Sequence, residues 1–190
     1  MVVSILKTEL DIRDDVTKLF EKGDIEKGDA LLAEKADILS DHIKLECLGN
    51  RFFYKTQFQD AVRCYEEGIA LAPNHQVSRY QYLVGTQLEK QGNFVDAFKR
   101  YQAAIEIDPK FIDSYIELGG LLIKVEDYEG ALKCYRDAYE LDSKDVRNLF
   151  NLKNVLEKLV ENGNVEYQGE LERFEELSEG IQPPNDDARW

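Results

Sequence analysis

The sequence is poor in the residues that fix or interrupt a chain. Of 190 residues, four are proline, three cysteine, two histidine, one tryptophan and one methionine. Pro183 and Pro184 stand together near the end, so little in the body breaks a helix. Cys47, Cys64 and Cys134 are odd in number and form no CxxC pair. That speaks against a disulfide framework and for a reducing compartment. Long apolar runs are missing too. The run at the start, MVVSIL, ends at Leu6, before Lys7 and Glu9. It is too short for a signal-peptide core or a bilayer span, and no later segment is longer. The expectation is a cytoplasmic chain without membrane insertion.

Positive charge is also scarce: 24 Lys and Arg stand against 38 Asp and Glu, a net charge of −14. Residues 41–160 carry 16 basic and 19 acidic side chains and are nearly neutral. Residues 161–181 carry one basic and seven acidic side chains, a net of −6. Such a chain repels phosphate backbones, so nucleic acid is not an expected partner. The acidic flank reads as a solvated face that maintains solubility, although it could attract a basic partner.

No signature of chemistry is present. HExxH, the P-loop and the nucleophile elbow are all missing. The acidic pairs Asp14-Asp15, Glu66-Glu67 and Glu126-Asp127 lack companion ligands, and solvated helix surface explains them. The expectation is no catalytic residue, no metal and no cofactor, which makes an enzyme the weakest reading.

What is present is a repeat. Ala61, Ala97 and Ala131 are spaced by 36 and 34 residues. Three residues before each stands Phe58, Phe94 or Tyr128, and four after each stands Tyr65, Tyr101 or Tyr135. Twelve before each is Gly49, Gly85 or Gly119, and twelve after is Pro73, Pro109 or Ser143. A fixed period in this range marks a repeat architecture. Each copy has apolar residues at three-and-four spacing, a polar turn such as KQGN, and a second amphipathic stretch. The glycine inside the first helix opposes helix propensity by about 1 kcal/mol, which makes sense where a second helix approaches closely. The proline closes the copy, because the residue before it leaves helical geometry. Each copy is a helix hairpin that buries both faces only when stacked on others. Cys64 and Cys134, at equivalent places on second helices, read as packing residues. His42 and His75 fall at copy boundaries and read as surface or capping residues.

The glycine, the turn, the aromatic-x-x-alanine, the tyrosine and the proline resemble the tetratricopeptide repeat family. The resemblance implies an all-α, right-handed superhelical solenoid of antiparallel hairpins, about ten helices in all. Three units are assigned to 42–75, 78–111 and 112–145. Residues 1–41 read as a degenerate capping hairpin, with Ile5, Ile12, Val16 and Leu19 on one face of its first helix. Gly28 and Leu32 replace the alanine and the tyrosine of its second. Residues 146–181 read as a helix pair ending in an acidic cap, with Tyr167, Leu171, Phe174 and Leu177 on a narrow stripe. Residues 182–190, with Trp190, read as a flexible tail.

In that family the first helices line a concave groove. The residues expected there are Asn50, Phe53 and Tyr54, then Arg79, Tyr82, Thr86 and Lys90, then Ile116 and Lys124, and last Arg147, Phe150, Asn151 and Asn154. Aromatic side chains give large buried area to a bound segment, and asparagine amides can bond its backbone. Glu46, Cys47, Leu83, Asp113, Glu117, Gly120 and Lys158 share these stripes. Some relatives clamp the C-terminal carboxylate of heat-shock chaperones with Lys, Asn and Arg. Asn50 matches one such asparagine, but Glu46 holds the lysine place, Leu83 the second asparagine place, and Asp113 and Glu117 the last lysine and arginine places, where two carboxylates would repel the ligand's own. No such clamp is expected.

The resulting expectation is a scaffold that binds a peptide segment of another protein, as adaptor, assembly factor or chaperone. The alternative is a structural protein that self-assembles into a homo-oligomer. A third reading resembles the small acidic secretion chaperones built from such repeats, on length and acidity alone.

Overall fold

The computed structural model describes residues 2–183, with side chains from Thr8 onward. Trp190 and the rest of the tail beyond Pro183 lie outside the described residues. Among the described residues ten α-helices follow one another: α1 (Val2–Glu21), α2 (Ile25–Lys35), α3 (Asp41–Tyr54), α4 (Phe58–Leu71), α5 (Val77–Lys90), α6 (Phe94–Ile107), α7 (Ile112–Lys124), α8 (Tyr128–Leu141), α9 (Val146–Glu161) and α10 (Gln168–Ser178). The described residues contain no strand. The chain is an all-α helical repeat of five consecutive hairpins. Two compact units divide it, one up to Ala104 and one from Ile105 onward.

All five hairpin turns share one geometry. A residue just after the first helix takes a left-handed backbone, and the next amide reaches back to a carbonyl of that helix's last turn. In three turns the residue is glycine: Gly23 and Gly92 at φ 78° and Gly163 at φ 96°. In the other two it is Thr56 at φ 58° and Glu126 at φ 62°. The following amides donate to carbonyls five residues back: Gln57 to Phe52 at 2.9 Å, Asn93 to Leu88 at 2.9 Å, and Asp127 to Leu122 at 2.9 Å. This arrangement caps the helix and favours glycine, because a Cβ crowds the following carbonyl. Thr56, β-branched, is strained there. Thr56→Gly is expected to stabilise the chain by about 1 kcal/mol, read as a higher urea midpoint at unchanged slope. A lower midpoint would show that the Thr56 hydroxyl, which donates to the Lys55 carbonyl at 2.6 Å, matters more than the strain.

The repeat residues are the core. Ala61, Ala97 and Ala131 are fully buried, and so are Tyr65, Tyr101 and Tyr135. Each tyrosine ring lies against the glycine of its own hairpin's first helix: Tyr65 on Gly49, Tyr101 on Gly85, Tyr135 on Gly119. The sequence places an approaching helix at that glycine. In the structure the tyrosine ring fills the space a Cβ would take. A second seat joins neighbouring hairpins, where the Tyr80 ring of α5 lies on Gly68 of α4. The first hairpin inverts the pattern: Phe20, on the first helix, lies on Gly28 of the second. Ile12, Val16 and Phe20 pack with Leu39, Ile43 and Cys47. Leu19 is only half-buried, and Ile5 lies outside the described side chains.

In the second unit, Leu149, Leu152, Val155, Leu156 and Leu159 of α9 pack with Leu171 and Phe174 of α10 and with Ala131, Leu132 and Tyr135 of α8. Leu177 departs from its expected stripe and is exposed, because Leu171 and Phe174 already complete the buried face of α10. His42 is also corrected: it is buried, its Nε2 lies 3.1 Å from Gln76 Oε1, and its carbonyl accepts the Tyr80 hydroxyl at 2.6 Å. His75 is exposed.

Candidate peptide-binding faces

The first helices of the first unit are α1, α3 and α5. Side chains on them bond across the unit at a constant separation. Arg13–Glu46, Thr17–Asn50, Glu21–Tyr54 and Glu46–Arg79 all join residues 33 apart. Stacking brings residues one repeat apart side by side, so the α1 positions 13, 17 and 21 meet the α3 stripe 46, 50 and 54. Asn50 is 7% exposed; its Nδ2 donates to Thr17 Oγ1 at 2.9 Å and its Oδ1 accepts the Tyr65 hydroxyl at 2.6 Å. Glu46 is fully buried and accepts from Arg79 Nε at 2.9 Å, with an Arg13 nitrogen at 3.7 Å. Burial opposes the Arg79 charge, but Glu46 outweighs it and raises the Arg79 pKa. The Tyr54 hydroxyl donates to Glu21 at 3.2 Å, and burial together with the Glu21 charge pushes its pKa up to about 12.

Phe53 is half-buried and packs edge-on against Tyr54, with ring centroids 4.8 Å apart. The half-buried Tyr82 ring lies 6.2 Å from that of Tyr101. The Thr86 hydroxyl donates to the Leu83 carbonyl at 2.8 Å. Lys90 is exposed at the end of α5. Much of the polar capacity on this face is therefore spent inside the protein. The sequence reading missed Arg13, Thr17 and Glu21, the partners that spend it. Their four-residue spacing along α1, one repeat before 46, 50 and 54, was the available signal.

The second unit differs. Its first helices are α7 and α9. Ile116 is half-buried against the core, and Lys124 is exposed. Arg147 pairs with Asp145 at 2.7 Å and reaches Asp113 on α7 at 3.5 Å. Phe150 is half-buried, and Lys158 pairs with Glu161 at 2.6 Å. Asn151 is 9% exposed, and neither it nor the half-buried Asn154 makes a hydrogen bond within the described chain. Arg147, Asn151, Asn154 and Lys158 run down one stripe of α9 at three-and-four spacing. Neither amide is among the buried polar atoms without a partner, so both are open to water or to a group from outside the chain.

Other chemistry finds little support. Burial, with the Glu46 charge beside it, pushes the Cys47 thiol up to about 12, and burial does the same to Cys134. Neither is a thiolate at neutral pH. Among the described residues, no three or more His, Cys, Asp or Glu are placed to hold a metal ion, and no helix is long and apolar enough to cross a membrane.

Residues 112–145, which form α7, α8 and the loops beside them, match the tetratricopeptide repeat family model. Over those residues the chain carries a tetratricopeptide repeat. A curated relative, a DnaJ homolog subfamily C member 7 homolog of Dictyostelium discoideum, is 28% identical over 93 residues. That match covers 48% of this chain but only 17% of the relative's length. Among solved structures, the crystal structure of MamA is similar at a TM-score of 0.62 and 20% identity, over 85% of this chain and 94% of that one. The first tetratricopeptide domain of Spaghetti (RPAP3), bound to the HSP90 peptide SRMEEVD, is similar at 0.58 and 18% identity, over 63% of this chain and 94% of that one. At such identities the likeness to both structures is one of fold.

Proposed function

We propose that this protein is an interaction scaffold that holds an extended peptide segment of another protein along its first helices. The observation that carries the reading is the pair of amides on α9, Asn151 and Asn154, which make no hydrogen bond within the described chain and stay open to an outside partner. An asparagine amide offers a donor and an acceptor, which is what an extended backbone needs. Phe150 and Ile116 supply apolar surface nearby, and Tyr82 and Phe53 supply it on the first unit. Binding of an HSP90 peptide by RPAP3 is consistent with such a role for the fold. The residues of this chain do not favour the carboxylate-clamp mode, since Glu46 occupies a lysine place and Asn50 is already bonded to Thr17 and Tyr65. The three free cysteines support action in the cytoplasm.

The test is capture of a partner from native lysate by wild type beside an Asn151→Ala, Asn154→Ala variant. Two lost amide bonds should weaken capture about tenfold. The variant should melt no lower than wild type, because it removes polar groups that have no internal partner. A partner held equally by both proteins would place binding elsewhere.

A further inference from the structure

A cavity of about 530 Å³ opens between the second helices of the first unit, α4 and α6. The buried Val62 and the half-buried Leu88 of α5 form its apolar floor. Gln59 and Glu66 on α4 and Arg100 on α6 form its walls, and the Asp96–Lys99 ion pair, at 2.9 Å, adds no net charge. The Arg100 guanidinium is held by its edge. Its Nη2 donates to Glu66 Oε1 at 2.5 Å and its Nη1 to Gln81 Oε1 at 3.0 Å. Bonds along the edge leave the flat face of a guanidinium open to stacking.

The second unit has a counterpart of this place, and there the arginine lies over an aromatic ring. Leu132 and Arg136 follow Ala131 as Val62 and Glu66 follow Ala61. Arg136 pairs with Glu170 on α10, and Glu66 pairs with Arg100 on α6, each with a partner 34 residues on. Three residues before Glu170 stands Tyr167. Its ring centroid lies 5.8 Å from the Arg136 guanidinium carbon, and the ring packs on the core that includes Leu132. Three residues before Arg100 stands the fully buried Ala97, which has no side chain to reach the equivalent space. Equivalent helices, the same ion pair with its ends exchanged and an apolar floor thus accompany a ring in one unit and a cavity in the other.

We propose that the cavity between α4 and α6 takes a tryptophan side chain from a segment of another protein, stacked on Arg100 and seated on Val62 and Leu88. The site lies on second helices, apart from the first-helix faces, so it stands or falls separately from the reading above. Charge complementarity selects the ring, because the electron-rich face of an indole meets the guanidinium cation. It also selects the indole among rings. The indole N–H is a donor only, and the α4 wall offers acceptors: Arg100 engages one Glu66 oxygen and leaves the other, and Gln59 adds an amide oxygen. An aliphatic side chain would use the floor and neither wall. A ring buried in such a pocket is the kind of anchor that dominates an interface.

The probe is N-acetyltryptophanamide, titrated into the full chain carrying labelled valine and leucine methyl groups and followed by NMR. N-acetylleucinamide is the control. The Val62 and Leu88 methyl signals should shift saturably with the indole probe, and the leucine probe should bind about fivefold more weakly. Arg100→Lys keeps the charge and loses the flat face, so it should weaken indole binding about fivefold. Gln59→Phe should fill the cavity from its rim and abolish binding. Gln59 is exposed, so circular dichroism should show that variant folded. Equal affinity for the two probes, unchanged affinity in both variants, or no shift at Val62 and Leu88 overturns the site. Tighter probe binding by Trp190→Ala would give the cavity to the chain's own tail instead.

Discussion

Arg79→Ala is expected to lower the unfolding free energy by about 3 kcal/mol, although Arg79 lies toward the surface. Glu46 is the reason. It is fully buried, and one of its oxygens, Oε2, has no partner even in the native state. The other accepts a hydrogen bond from Arg79 Nε at 2.9 Å, has the Arg79 terminal nitrogen at 2.8 Å, and faces Arg13 at 3.7 Å. Without Arg79, a desolvated carboxylate is left with one long contact. Removing one partner of a buried pair is far more damaging than removing both, because the isolated charge is the costly species. The double variant Arg79→Ala, Glu46→Leu should therefore recover most of the loss, and the cycle with the two single variants should show strong coupling. Urea denaturation of the four proteins reads this directly. A loss under about 1 kcal/mol in the single variant would mean an ordinary surface pair. The pair joins α3 to α5, and Arg13 extends it to α1, so the network also fixes which face of each hairpin meets the next.

That network explains how far the sequence could be read. The hairpins were legible because glycine, alanine and tyrosine recur at fixed places, and each has one packing job that propensity and spacing reveal. The face residues were less legible. Asn50 and Asn151 are the same residue type on equivalent stripes of first helices, and nothing local distinguishes them. Asn50 is consumed because Thr17, one repeat earlier, offers a hydroxyl and Tyr65 reaches it from α4. Asn151 has no such neighbours. Whether an amide is spent depends on the residue one repeat away, which only the stacking register specifies. The exposure of Leu177 has a similar origin: its helical stripe is apolar, but Leu171 and Phe174 already fill the contact of α10 with the core.

Gly49→Ala should destabilise the chain by about 1–3 kcal/mol, against the direction that helix propensity predicts. Gly49 lies inside α3, where alanine is intrinsically better by about 1 kcal/mol. A Cβ there, however, would stand 2.3 Å from Tyr65 Cε1 and 2.7 Å from Cδ1 and Cζ. No real contact is that short, so the ring or the helix must move. The ring has little freedom: it is 1% exposed, and its hydroxyl is tied to Asn50 at 2.6 Å. Moving it would disturb the Asn50–Thr17 bond and with it the seam between α1 and α3. The comparison that isolates packing is Gly169→Ala on α10, where a Cβ meets nothing within 4 Å. That change should stabilise by about 1 kcal/mol, since only propensity acts. Thermal melts of the two variants should therefore shift in opposite directions. Shifts of the same sign would mean that Tyr65 yields to the new methyl group. In that case the glycine is not a seat for the ring, and the equivalent contacts of Gly85 with Tyr101 and Gly119 with Tyr135 lose their claim to set the hairpin spacing.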